Sequence, residues 1–115
     1  MAEVFSNLAK STLATGITAA ATSLTVQSGD GNSLFPSLSG SDFFRCVLFK
    51  KSTGDTEIVT VTARSGDVLT ISRAQEQIGN ATATAYAFDA GDIIELRPTK
   101  GFLNSLSAGD RKSVV

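Results

Sequence analysis

The side chains that could do chemistry in this chain of 115 residues are eleven carboxylates and ten cations, because histidine is absent. Without it there is no Ser-His-Asp or Cys-His relay, and the commonest transition-metal ligand is missing. Cys46 is the only cysteine, which removes an internal disulfide and a thiolate zinc site. It lies in Phe43-Phe-Arg-Cys-Val-Leu-Phe49, where a buried, inert thiol is expected, and a reducing compartment fits. Carboxylate chemistry remains. Two carboxylates across a cleft, one with a raised pKa, would hydrolyse a glycosidic bond. Glu57 and Glu95 are the candidates for such a pair. Both alternate with apolar neighbours, which suits solvated or cross-strand ion-paired positions better. Arg45, Arg73 and Arg97 are the candidate partners, each exposed pair worth roughly a few tenths of a kcal/mol. No phosphate loop, Gly-x-Ser-x-Gly elbow or metal motif occurs, so no catalytic residue, cofactor or metal is expected. Seven Phe, one Tyr and no Trp weaken the case for a sugar-stacking platform.

Bulk properties narrow the classes further. The hydrophobic content of 42% is globular rather than disordered. A net charge of −1, with the basic residues scattered apart from Lys50-Lys51, argues against a nucleic-acid partner, which needs a cationic face. No apolar run approaches the ~20 residues of a membrane span. Glu3 comes early and no basic n-region precedes Leu13–Ala21, so no signal peptide is expected. The sequon Asn80-Ala81-Thr82 then carries no weight.

The elements that must position these groups are strands. Asp55–Arg73 reads as a β-hairpin about Gly66-Asp67. Glu57, Val59, Val61 and Ala63 share one face, and Ile58, Thr60, Thr62 and Arg64 take the other. Leu69 and Ile71 face in from the second strand. Ser23–Gln27 is expected as a strand with Leu24 and Val26 inward, followed by a loop to Ser41 from which Phe35 plugs the core. Phe43–Lys50 is apolar on both faces, with Phe43, Val47 and Phe49 on one and Phe44, Cys46 and Leu48 on the other. Such a strand is expected to be buried on both sides, within the domain or against another subunit. Ala74–Tyr86 reads as a loop and a weak strand. Asp92–Arg97 reads as the last strand, with Thr99 capping a short helical turn.

Five Gly-Asp dipeptides punctuate the chain, beginning at Gly29, Gly54, Gly66, Gly91 and Gly109. Their spacing fits neither an EF-hand nor the nonapeptide calcium repeat, and turn chemistry accounts for them. Short strands between such turns predict an all-β fold, a small antiparallel β-sandwich or barrel. The expected organisation is an extended N-terminal arm (1–21), a β-domain (22–106) closing on the helical turn, and a flexible tail (107–115). An apolar arm without a core of its own needs something to lie against, its own domain or a neighbouring subunit.

The order of pieces resembles a small β-domain of tailed-bacteriophage virion proteins, found at the particle-attached end of tail fibres and collar fibres. The resemblance rests on Leu13-Ala-Thr-Gly-Ile-Thr-Ala-Ala-Ala-Thr-Ser-Leu-Thr-Val26, Asp42-Phe-Phe-Arg45, Glu57-Ile-Val-Thr-Val-Thr-Ala-Arg-Ser-Gly-Asp67, Leu69-Thr-Ile-Ser-Arg-Ala-Gln-Glu76 and Ala87-Phe-Asp-Ala-Gly-Asp-Ile-Ile-Glu-Leu-Arg97. Together these span residues 13 to 106. Gln77-Ile78-Gly79-Asn80 intervenes where the family pattern turns through Gly and Thr. The resemblance implies a virion structural protein, an adaptor at the tail, neck, collar or baseplate, with no catalytic residues. Its partners would be copies of itself and other phage structural proteins, with Phe43, Phe44, Phe49 and Phe35 as interface or core anchors. A capsid decoration protein and a carbohydrate-binding or hydrolytic module are the alternatives.

Overall fold

A computed structural model describes residues 2–110 of the chain, with side chains as far as Ser105. Six strands form one antiparallel sheet: β1 (Lys10–Thr12), β2 (Ser23–Thr25), β3 (Phe44–Phe49), β4 (Thr56–Ser65), β5 (Val68–Glu76) and β6 (Ile93–Leu96). Two helices accompany them, α1 (Asp30–Leu34) and α2 (Lys100–Asp110). The strand order is β1-β6-β3-β4-β5-β2. The sheet curls until its two edges meet, where Leu13 bridges Val26 and the Ala14 and Gln27 amides donate to Thr25 and Thr12. Closure of this kind satisfies the edge groups that an open sheet leaves unpaired. The fold is all-β and barrel-like, as the alternation of Val, Ile and Thr implies.

Alternation decides what fills the barrel. Phe44, Cys46 and Leu48 on β3, Val59 and Val61 on β4, Leu69 and Ile71 on β5, and Ile94 and Leu96 on β6 are all buried. Phe35 enters from the loop after α1 and stacks on Phe44 at 5.9 Å between ring centroids. The core also takes Ala9 and Leu13, so residues 2–21 are not an arm outside the β-domain. They are largely extended, as expected, but they lie against their own sheet and supply β1.

Three further differences have local causes. The inward row of β4 does not continue to Ala63. Val61 opposes Ile71 but Ala63 opposes Thr70, so β4 holds one extra residue there and the facing reverses. Ala63 is therefore exposed, while Arg64 turns to the loop of residues 32–37, donating to the Pro36 carbonyl, Asn32 and Ser37. The loop expected from Ser28 to Ser41 contains α1. Its N-terminus is capped from the hairpin turn, where the Asp67 carboxylate accepts from the Gly29 and Gly31 amides at 3.1 and 2.9 Å. Of the loop and weak strand expected over Ala74–Tyr86, Ala74–Glu76 instead extend β5, and the weak strand does not form.

The hairpin turn itself is where it was expected, with Gly66 at φ +60°. Gly29, Gly54 and Gly91 of the other Gly-Asp pairs also have positive φ, whereas Gly109 lies within α2. The helical turn expected after Thr99 is a longer helix that runs to Asp110 and takes up residues 107–110 of the expected tail; residues 111–115 lie outside the described residues.

Gly31 sits where α1 meets the hairpin. A Cβ at this position would lie 2.0 Å from the Gly66 oxygen and 2.7 Å from the Asp67 Cα, both backbone atoms. Gly31→Ala must therefore push α1 off its cap, at a cost of roughly 2–3 kcal/mol. The urea midpoint should fall with little change in slope; a midpoint equal to the parent's would refute this account of the contact.

Candidate functional site

Two polar centres are built on the β4–β5 hairpin, one inside the barrel and one outside. The inner one is Glu57 with Arg73. Glu57 shares the inward row with Val59 and Val61, and its side chain is fully buried. Arg73 meets it bidentately, Nε to Oε2 and Nη2 to Oε1, each at 2.8 Å. Two backbone amides complete the carboxylate: Ala74 donates to Oε2 at 2.8 Å and Tyr86 to Oε1 at 3.0 Å. The remaining guanidinium protons go to the carbonyls of Thr18, Ala21 and Tyr86. All five Arg73 donors and all four in-plane acceptor positions of Glu57 are thereby used. The arrangement requires a bulge in β5, where Ala74 takes φ +51° and turns its amide to Glu57.

Alternation leaves Glu57 either solvated or ion-paired across strands, and the structure takes the second. The residue is ion-paired across the hairpin to an arginine, but it is sealed rather than solvated. Glu95 is half-buried on the outer face, in register with Val47 and Lys10. Glu57 and Glu95 thus point to opposite sides of the sheet and share no cleft. Arg97 is exposed and makes no ion pair among the described residues.

The outer centre is organised by Arg45. Its Nη1 donates to Glu76 Oε2 at 3.1 Å and to Thr99 Oγ1 at 3.2 Å, and Nη2 lies 3.7 Å from Glu3. The guanidinium also stands 5.5 Å from the Phe43 ring centroid. Thr99 donates its hydroxyl to Glu76 at 2.6 Å, and the Gly101 amide donates to the other Glu76 oxygen at 2.9 Å. Glu76 rather than the Thr99 side chain therefore caps α2. A Cβ on Gly101 would fall 1.9 Å from Arg45 Nη1 and 2.8 Å from Glu76 Oε2, so a larger residue there must displace these two side-chain ends. Glu3 is the third member. Its Oε2 is buried without a hydrogen-bond partner among the described residues. Burial pushes the Glu3 carboxyl above its ordinary value, against the pull of Arg45, and the Glu76 charge adds to the rise.

Beside Arg45 lies a groove of about 380 Å³, lined by Gly40, Ser41, Asp42, Phe43, Arg45, Thr60 and Thr62. Of the four anchor phenylalanines, Phe35 and Phe44 are core. Phe43 walls the groove, and Phe49 is 39% exposed. The β3 strand is therefore not buried on both faces: its outer row, Arg45, Val47 and Phe49, ranges from half-buried to exposed. Cys46 is sealed in the core, where burial raises its thiol far above the reactive range. Sequence reasoning missed Glu3, Glu76, Thr99 as a Glu76 donor, and Asp67 as a cap. Each acts on a residue 23 or more positions away in the chain, which no local spacing reveals. No family model and no curated protein matches the chain.

Two predictions follow from the two centres. Arg73→Lys keeps the charge but loses the planar fork and most of its five bonds, leaving Glu57 buried and under-satisfied. It should cost about 3 kcal/mol or more in denaturant unfolding, and a loss below about 1 kcal/mol would mean that the pair is incidental. For Glu3, the folded chain holds the proton more tightly than the unfolded chain. Its contribution is thus fully present below the ordinary value of 4.5 and is lost as pH rises through the folded value. Glu3→Gln should therefore gain on the parent between about pH 4 and neutral pH. Stability curves that stay parallel across that window would show that the carboxyl is not held this way.

Proposed function

We propose that the protein is a structural subunit of a tailed-phage particle, an adaptor at the tail, neck, collar or baseplate, assembled in the host cytoplasm. The observation that carries this reading is the outer row of β3. Barrel closure leaves this sheet little free edge, so a neighbour would meet it through a face. The half-exposed Phe43, Val47 and exposed Phe49, beside a groove, are apolar surface of the kind subunits bury against each other. The order of sequence pieces resembling the fibre-attachment domain supports the same reading. The carboxylates support it too. Glu57, Asp92 and Glu76 bind backbone amides, and the Glu57 acceptor positions are already occupied, which leaves a poor basis for carboxylate hydrolysis.

The reading is tested on particles. Antibody raised to the purified chain should label purified virions from the strain that carries the gene, at one fixed place on the tail axis. Particles that lack the chain by mass spectrometry and labelling would overturn the reading. Phe49→Ala should cost less than about 1 kcal/mol in stability yet reduce incorporation, because that ring is partly solvated already. Phe44→Ala should instead unfold the barrel, at roughly 3–5 kcal/mol.

A further inference from the structure

The N-terminal strap, residues 2–8, is held to the barrel by a few separate contacts. The Phe43 amide donates to the Ala2 carbonyl at 2.9 Å and the Val4 amide to the Phe43 carbonyl at 2.8 Å, a single parallel bridge rather than a ladder. Glu3 reaches Arg45, the Ser6 hydroxyl donates to the Leu34 carbonyl, and Phe5 packs edge-on against Phe102 at 4.8 Å. The strap then returns to β1 through a turn at Asn7-Leu8.

That turn carries two unfavourable features at one residue. Leu8 has φ +60°, a conformation that a branched-chain L-residue rarely adopts, and its side chain is 91% exposed. Directly after it, Ala9 is buried and its carbonyl accepts from Leu96, so the barrel is anchored from that point on. Leu8 is thus a hinge between a fixed barrel and a lightly attached strap. The backbone strain is relieved if residue 8 becomes extended and the strap leaves its own barrel.

We propose that the strap exchanges between copies of this chain: residues 2–7 of one copy occupy the Phe43–Arg45–Phe102 seat of another, with Leu8 extended and covered between them. The contacts in the seat are the same in either form, because the donor and acceptor residues are identical. The difference lies at the hinge, where every exchanged strap relieves one left-handed leucine. Reciprocal exchange closes a dimer, and exchange around a circle closes a ring. Two relieved hinges per dimer favour association by on the order of thirtyfold to a thousandfold over the same contacts made without strain. Exchange does not depend on where the protein works, so failure of particle labelling leaves it standing, and failure of exchange leaves the virion reading standing.

The test uses the full chain. Light scattering across a dilution series should show the parent associating as concentration rises. Leu8→Gly, which takes φ +60° freely and exposes no apolar side chain, should weaken association by on the order of thirtyfold or more. Leu8→Pro, whose ring fixes φ near −65°, should strengthen it. Chains carrying Phe5→Cys, mixed while dilute with chains carrying Phe102→Cys and then concentrated, should be bridged to each other by a short bis-maleimide; the buried Cys46 does not compete. Exchange is overturned if the mixed chains stay unbridged while one chain carrying both cysteines is bridged internally. It is equally overturned if Leu8→Gly associates as tightly as the parent, or if Leu8→Pro remains a folded monomer.

Discussion

The ion pair between Glu57 and Arg73 ties the hairpin to the irregular stretches that carry Thr18, Ala21 and Tyr86. Two charges sit at the end of an apolar interior, where each alone would cost several kcal/mol to desolvate. They are tolerated because nothing is left over: the guanidinium gives five hydrogen bonds and the carboxylate receives four. An apolar pair of similar volume could supply comparable stability. It could not hold the backbone as this pair does. The carbonyls of Thr18, Ala21 and Tyr86 come from two irregular stretches with little sheet pairing of their own. The Ala74 amide fixes the bulge that redirects the end of β5.

That bulge has a consequence one turn away. Beyond it, β5 ends at Glu76, whose carboxylate reaches the first turn of α2 and the Thr99 hydroxyl. At the opposite end of the hairpin, Asp67 caps α1 in the same manner. Both helices are thus started by carboxylates of the hairpin rather than by residues of their own. Gly31 allows the close approach this needs at α1, where a Cβ would strike backbone; at Gly101 a Cβ would meet only the Arg45 and Glu76 side-chain ends.

This explains which parts of the structure could be read from the sequence. The β4–β5 hairpin, its Gly66-Asp67 turn and the inward positions of Leu24, Val26, Leu69 and Ile71 follow from alternation and turn chemistry, which are local. The helix α1 was not legible because its cap lies 36 to 38 residues away. Thr99 looked like a self-sufficient cap because local spacing contains no trace of Glu76. Ala63 fell on the wrong face because one extra residue in β4 reverses alternation without any glycine to announce it. Arg73 was named as a partner for the strand carboxylates, yet the burial of its pair with Glu57 was invisible. A glutamate at the head of a row of valines reads as a polar position at the rim unless its ligands are known.

The two polar centres differ in stoichiometry, and that difference separates the rigid part of the molecule from the yielding part. Inside, one cation meets one anion and every donor and acceptor is matched, so any displacement leaves a buried charge unpaired. Outside, Arg45 is shared by Glu76 and Glu3. Glu76 takes the closer contact together with a hydroxyl and an amide, while Glu3 stands 3.7 Å off with one oxygen unmatched. Moving Glu76 would uncap α2 and strip Arg45 of its nearer partner. Moving Glu3 returns a poorly solvated carboxylate to water and leaves the Arg45–Glu76 contact intact. Local opening begins where the fewest matched interactions are lost. In this fold that place is the strap that carries Glu3, and the hinge at Leu8 lies immediately behind it.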